Sequence, residues 1–164
     1  MKEILIRKLK KRISLMIGRG PKYLIYYSLK GKLMWYMIPK AGSRTIRCHI
    51  EQQYPDFVFV GEIPVVPFLW RGYTTFTVIK DDEDRYNSTW RDKVVNRKVW
   101  SNEEFQKKMG IDPHLTPCSR LYCAGFCDYI VDIGNLSWLL GALGVKFNRI
   151  EHINKTRSLR IRER

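Results

Sequence analysis

Short apolar runs alternate with helix-forming segments along the middle of this chain, and this alternation limits the fold more than any other feature. The first run, Leu33–Ile38, is continuously apolar and of strand length, which is typical of a strand buried on both faces of a sheet. Further strand patterns follow at Asp56–Val60, Thr74–Ile79 and Asp128–Val131. Helix patterns occupy about 44–54, 81–96, 101–109 and 135–143. Such alternation predicts an α/β fold with a small, mainly parallel sheet flanked by helices.

Local signals mark several ends of these elements. Ser101 is expected to cap the helix that follows it, because Glu104 stands three residues later and completes a capping box. Gly144 is expected to end the last helix. The proline-containing stretch Ile63–Arg71 is predicted to be a loop, and Asp112–Cys127 to be irregular.

The positive charge of the chain lies at its two ends. The formal net charge is +14, of which residues 1–32 hold ten Lys/Arg and one Glu. Residues 33–145 are neutral, and residues 146–164 hold seven Lys/Arg and two Glu. Residues 2–17 also have the spacing of a short basic amphipathic helix. A neutral body with cationic ends indicates a polyanionic partner or an anionic membrane surface, the alternative being solvated tails.

Targeting signals and metal motifs are weak in this sequence. No apolar run reaches the roughly 18–20 residues that span a bilayer, and the N-terminal region lacks the features of a secretory signal. We therefore expect a cytoplasmic protein that is peripheral to a membrane at most, with reduced thiols. His114, Cys118, Cys123 and Cys127 do not have the paired spacing of a zinc knuckle. Buried or incidental thiols, and no metal, are the expectation.

The turn after the first strand pattern is the first candidate site. Pro39–Ser43 joins a buried strand to a helix, as in loops that hold anions with backbone N–H groups and the helix dipole. Lys40 adds a positive charge, and Ser43 and Thr45 add hydroxyl donors. The Walker A pattern is absent. A plain turn before a helix is the alternative interpretation.

Lys80 is the second candidate anchor. It follows the strand pattern Thr74–Ile79, and Ser88 comes eight residues later in the next helix. Ligands of open α/β sheets bind at the carboxyl ends of the strands. Lys40 and Lys80 would meet there if their strands are neighbours, and together they would suit a ligand with two separate phosphate groups. Otherwise Lys80 is an ordinary lysine at a strand end.

These segments resemble one known family. Ile38–Arg47 (IPKAGSRTIR) resembles the 5′-phosphosulfate loop of sulfotransferases that use 3′-phosphoadenosine-5′-phosphosulfate (PAPS). Phe76–Lys93 is similar to the family's 3′-phosphate motif, FxFVRxPxxRxxSxYRDK. Asp112–Tyr122 is similar to the H-x-x-P-Q-S stretch of Golgi carbohydrate sulfotransferases, and Asp128–Ser158 resembles their closing segment. The resemblance covers about residues 33–158.

The resemblance implies a fold, a reaction and a set of donor contacts. It implies a P-loop NTPase-like, three-layer domain over residues 33–158, preceded by a basic segment (1–32) and followed by a basic tail (159–164). The implied reaction moves a sulfuryl group from PAPS to a hydroxyl of a carbohydrate acceptor, without a metal. Lys40 would neutralise charge on the leaving oxygen. The implied donor-binding residues are Lys40, Ala41, Gly42, Ser43, Arg44, Thr45, Lys80, Ser88, Lys155 and Arg157.

The acceptor hydroxyl needs a general base, and two residues are candidates. Glu62 follows the second strand pattern, where heparan-type sulfotransferases carry a catalytic glutamate. It could equally be a solvated loop carboxylate. His114, within the third resembling stretch, is the second candidate.

Two other functions stay open at this point. Lys80 stands where the family has arginine, and Asp82 where it has proline, so the chain could be a degenerate relative that binds without turnover. A basic nucleic-acid-binding module is the other alternative, since the chain holds five Trp and nine Tyr. Most aromatic residues fall within strand and helix patterns, however, which makes nucleic acid an unfavoured partner.

Overall fold

The computed structural model of the chain describes residues 22–64 and 71–146. Five strands form one sheet: β1 (Lys22–Ser28), β2 (Leu33–Tyr36), β3 (Val58–Pro64), β4 (Thr74–Ile79) and β5 (Tyr129–Asp132). The α-helices are α1 (Ser43–Gln53), α2 (Asp82–Trp90), α3 (Asn102–Lys107) and α4 (Leu136–Ala142). A π-helical turn, Arg91–Asn96, continues directly from α2. The helix predicted over residues 2–17, together with Lys155 and Arg157, lies outside the described residues.

The sheet is mixed, with the strand order β3-β1-β2-β4-β5. Strands β2, β4 and β5 are parallel, while β1 is antiparallel to both β2 and β3. The α/β class is therefore confirmed. The prediction of a mainly parallel sheet is correct only in part: β1 runs against its neighbours β3 and β2, while the other four strands point in one direction.

Strand β1 was not predicted from the sequence. Its residues, KYLIYYS, lie in the region set apart as a basic N-terminal segment, yet they form an internal strand of the sheet. Ile25 and Tyr27 are buried on one face, so the apolar alternation is present but short. Asp56, predicted to begin β3, instead accepts hydrogen bonds from the Ser28 hydroxyl and the Lys30 N–H, both at 2.9 Å. These bonds close the turn between β1 and β2.

The core has two sides because β2 is buried on both faces, as its sequence predicts. Leu33 and Trp35 face one side, where the rings of Phe57 and Phe76 stack on Trp35. Apolar residues of α1 and α4 complete that side: Ile46, Ile50, Leu136, Leu139 and Leu140. The opposite side holds buried residues of β1, β2 and β3, with Tyr122, Cys123 and Cys127 of the irregular segment packed against them.

Most element ends agree with the sequence to within two residues, and two differ by more. Strand β4 and the capping box of Ser101 and Glu104 are as predicted. Strand β3 continues to Pro64, so the loop predicted from Ile63 starts later. The helix predicted to reach Asn96 is α-helical only to Trp90 and then becomes the π-helical turn. Among the described residues, no helix is both long and apolar enough to cross a membrane.

Candidate anion-binding site

The turn predicted to hold an anion has a constrained backbone. Lys40 has a φ of 65° and Gly42 a φ of 74°, so both residues lie in the left-handed region. Ala41 is buried between them, and its N–H donates to the Ile38 carbonyl. These conformations reverse the chain within a few residues of the end of β2 and direct it into α1.

Helix α1 begins at this turn, and the N–H groups of its first residues point toward the turn. The first intrahelical bond runs from the Ile46 N–H to the Gly42 carbonyl. No side chain of the described residues caps the helix, and its first turn contains no acidic residue. The earlier N–H groups and the positive end of the helix dipole therefore favour an anion at this position.

A substitution at Gly42 tests whether the backbone of the turn is strained. Gly42→Ala is expected to lower the free energy of unfolding by about 1–3 kcal/mol, because a φ of 74° strains any residue with a Cβ. The added Cβ would also lie 2.8 Å from Ile133 Cδ1. Urea unfolding measures the change. The matched control is Gly141→Ala in α4, where a Cβ meets no atom within 4 Å, and stability should rise by up to about 1 kcal/mol. Equal effects of the two changes would contradict the strained turn.

The two predicted phosphate anchors lie on one pocket of about 820 Å³. Strands β2 and β4 are adjacent and parallel, so the segments after them meet at the same edge of the sheet. The predicted residues that line the pocket are Lys40, Gly42, Ser43, Arg44, Thr45, Lys80, Ser88 and His114. Neither motif by itself predicts that the two anchors lie close together, because their proximity depends on the pairing of β2 with β4.

The π-helical turn forms a further cationic wall. Arg91, Lys93 and Arg97 line the pocket beside Asn96. Sequence reasoning did not select these residues. A π-helical turn is uncommon and often occurs at functional sites. With Lys40, Arg44 and Lys80, six cationic side chains from the described part of the chain line the pocket.

Asp92 is the single carboxylate among the described residues that line the pocket. Its Oδ2 accepts a hydrogen bond from Lys40 Nζ at 2.5 Å, and its Oδ1 lies 3.1 Å from Arg97 Nε. Burial alone would raise the pKa of Asp92, but the hydrogen bond and charge of Lys40, followed by the charge of Arg97, lower it below its ordinary value. The carboxylate is therefore ionised at neutral pH.

His114 reaches the pocket from the irregular segment. Its Nδ1 lies 2.8 Å from Asp112 Oδ1, and its backbone N–H donates to the same oxygen at 2.8 Å. Burial would raise the pKa of Asp112, but these two bonds and the nearby charges lower it. In a neutral ring whose Nδ1–H donates to Asp112, Nε2 is an acceptor. The contact with Asp112 therefore fixes the orientation of the ring, and the neutral Nδ1–H form would present Nε2 as an acceptor.

Arg85 connects the turn of Lys40 to the segment of His114. Its side chain is fully buried, and its Nε donates to the Pro39 carbonyl at 3.1 Å. Its terminal nitrogens donate to the carbonyls of Pro113 and Thr116, at 3.2 and 3.0 Å. They also bind Asp82 Oδ1 at 2.6 Å and Cys118 Sγ at 3.3 Å. Sequence reasoning did not select Arg85 as part of the site.

Cys118 stands where the resembling family has glutamine, and this second departure from the pattern contacts the first, Asp82. Asp82 Oδ1 accepts a hydrogen bond from the Cys118 N–H at 3.0 Å. Burial would raise the pKa of Asp82, but the bonds from Cys118 and Arg85 lower it. Burial raises the pKa of the Cys118 thiol, which donates to the Lys80 carbonyl at 3.2 Å. The departures are therefore compatible with one another.

Glu62 does not line the pocket. It is an exposed residue of the edge strand β3, paired with Leu24 of β1. Leu24 does line the pocket, which places Glu62 one strand beyond the lining. Of the two candidate bases, only His114 is a lining residue.

All four cysteines are free thiols. Within residues 22–64 and 71–146, no group of three or more His, Cys, Asp or Glu residues is arranged to hold a metal ion.

Comparison with known proteins adds no relative: no family model, curated protein or solved structure matches this chain.

Proposed function

We propose that this chain is a PAPS-dependent sulfotransferase with a P-loop NTPase-like fold, acting on a hydroxyl of a carbohydrate acceptor. The observation that carries the proposal is that the turn of Lys40 and the pair Lys80 and Ser88 line one cationic pocket. These are the segments that resemble the 5′- and 3′-phosphate motifs of the family. Its volume of about 820 Å³ suits a nucleotide-sized ligand.

The two halves of the pocket would hold the two anionic ends of the donor. Backbone N–H groups at the start of α1, with the Ser43 and Thr45 hydroxyls, would bind the 5′-phosphate. Lys80 and Ser88 would bind the 3′-phosphate, with Lys80 supplying charge and Ser88 a hydroxyl donor. Lys155 and Arg157 would close over the nucleotide.

The reaction needs charge stabilisation and one proton transfer. PAPS supplies the sulfuryl group; its S–O bond to the 5′-phosphate breaks as the bond to the acceptor oxygen forms. Lys40 would neutralise the charge that develops on the phosphate oxygen. The acceptor proton would pass to His114 Nε2, which the hydrogen bond of Nδ1 with Asp112 leaves as an acceptor. Glu62 remains the second candidate base.

The proposed location is the cytoplasm, with the basic N-terminal residues available to an anionic membrane surface. The free state of the four cysteines supports a reducing compartment.

Nucleotide binding gives the most direct test. Ser88→Ala is expected to weaken binding of 3′-phosphoadenosine-5′-phosphate (PAP) about five- to twentyfold in calorimetry, because a hydrogen bond to a charged group is lost. The matched control is Ser119→Ala, an exposed serine outside the pocket lining, which should leave the affinity unchanged. Failure of the unaltered protein to bind PAP would overturn the proposal.

Transfer of labelled sulfate from PAPS to a panel of glycans then separates turnover from binding. Transfer to at least one glycan supports the enzyme. PAP binding with no transfer across the panel would favour the degenerate relative that binds without turnover.

A further inference from the structure

Lys40, the lysine central to the proposed reaction, already has an acidic partner. Asp92 Oδ2 accepts from its Nζ at 2.5 Å, and the two side chains are each 23% exposed. The pair is therefore partly shielded from water and stronger than an ordinary surface pair. The lowered pKa of Asp92 keeps the carboxylate charged at neutral pH. An anion that takes Lys40 must compete with this carboxylate.

We propose that Asp92 is a built-in counter-ion, which Lys40 exchanges for an anionic group of the ligand, and that this exchange sets the affinity of the pocket. The inference rests on the proposed function in one respect, since it requires a phosphate-like group at Lys40. It adds a residue that opposes binding, where the proposed function names only residues that favour it. Ligands that do not reach Lys40 gain nothing from the exchange.

Arg97 makes the exchange feasible. The second oxygen of Asp92, Oδ1, lies 3.1 Å from Arg97 Nε, so the carboxylate keeps a cationic partner when Lys40 leaves it. The Arg97 N–H also donates to the Asp92 carbonyl at 3.0 Å, which holds the two residues together in the π-helical turn. A partly buried carboxylate left without any partner would be costly. Asp92 avoids that cost.

The balance of charge in the pocket sets the direction of the effect. Among the described residues, six cationic side chains and one carboxylate line it. Asp92→Asn removes the negative charge that competes for Lys40 and keeps the size of the side chain. The positioning alternative is that Asp92 holds Lys40 where the ligand needs it. That alternative predicts weaker binding of the same variant, so the sign of the change distinguishes the two roles.

Calorimetry with PAP and with inorganic pyrophosphate tests the proposal. Asp92→Asn is expected to tighten binding of both about five- to twentyfold. In a background of Lys40→Ala the same change should gain less than threefold, because the competition for Lys40 no longer exists. The matched control is Glu103→Gln, which removes one charge from an exposed position outside the pocket lining and should change either affinity by less than twofold.

Each outcome separates this inference from the proposed function. If PAP binds but Asp92→Asn leaves its affinity unchanged or lower, the counter-ion role is overturned and the proposed function stands. An equal gain with and without Lys40 likewise overturns the exchange. If pyrophosphate binds and tightens in Asp92→Asn while PAP does not bind, the inference stands and the proposed function fails. Absence of binding by both anions overturns both.

Discussion

Lys40→Ala is expected to lower the rate of sulfuryl transfer about 100- to 1,000-fold, the usual effect of removing one group that stabilises charge in a transition state. The loss should appear in kcat rather than in donor affinity. In the proposed exchange Lys40 gives up its contact with Asp92 as it reaches the donor, so part of its attraction for the bound nucleotide is cancelled. We expect PAP affinity to fall by no more than about tenfold.

The fold should tolerate this change. A φ of 65° disfavours alanine as much as lysine, because both residues carry a Cβ. The backbone strain of the turn is therefore nearly unaltered. Asp92 keeps its contact with Arg97 at 3.1 Å and is not left without a cationic partner. The thermal midpoint should therefore stay within a few degrees of that of the unaltered protein.

Single-turnover transfer assays, run beside PAP calorimetry, check this result. The matched control is Lys107→Ala, an exposed lysine at the end of α3, which should leave both the rate and the affinity unchanged. A variant at Lys40 that transfers sulfate at the normal rate would show that the turn has no part in the chemistry. The binding result would then decide whether the turn holds the donor at all.

The sequence was sufficient for those parts of the site that local patterns determine. The turn of Lys40 follows a strand that is apolar on both faces, and the strand of Lys80 is rich in β-branched residues. Each signal is contained within about ten residues. The helix start at Ser101 is equally local, since the capping box needs only Ser101 and Glu104.

The parts that depend on long-range pairing could not be predicted in the same way. The apolar alternation of β1 is short, and its burial becomes clear only when β2 and β3 pair with it on either side. Asp92 lies 52 residues from Lys40, and it meets the lysine from the start of the π-helical turn. Glu62 was selected by its position after a strand. Its distance from the pocket lining follows from the insertion of β1 between β3 and β2.

Arg85→Met is expected to lower the free energy of unfolding by about 3–5 kcal/mol, because several buried acceptors lose their donor at once. Methionine fills much of the same volume but donates no hydrogen bonds. The carbonyls of Pro39, Pro113 and Thr116 would lose the donor that the guanidinium provides. Asp82 would keep only its bond from the Cys118 N–H among these partners.

Arg85→Lys separates loss of charge from loss of the planar fork. Lysine keeps the positive charge near Asp82, but one ammonium group cannot reach both Pro39 and Pro113 as the guanidinium does. We expect an intermediate loss of about 1–3 kcal/mol. Urea unfolding measures both variants. Arg120→Met, at an exposed arginine of the irregular segment, is the matched control and should stay within about 0.5 kcal/mol of the unaltered protein.

The contacts of Arg85 also link the stability of the fold to the geometry of the candidate site. Arg85 binds the carbonyl of the residue before Lys40 and the carbonyl of the residue before His114, so one buried side chain sets the distance between the proposed charge stabiliser and the proposed base. Arg85→Lys should therefore lower the rate of sulfate transfer at temperatures where the variant is fully folded. A variant that is less stable but transfers sulfate at the normal rate would show that Arg85 serves the fold alone. A variant of unchanged stability would contradict the buried network itself.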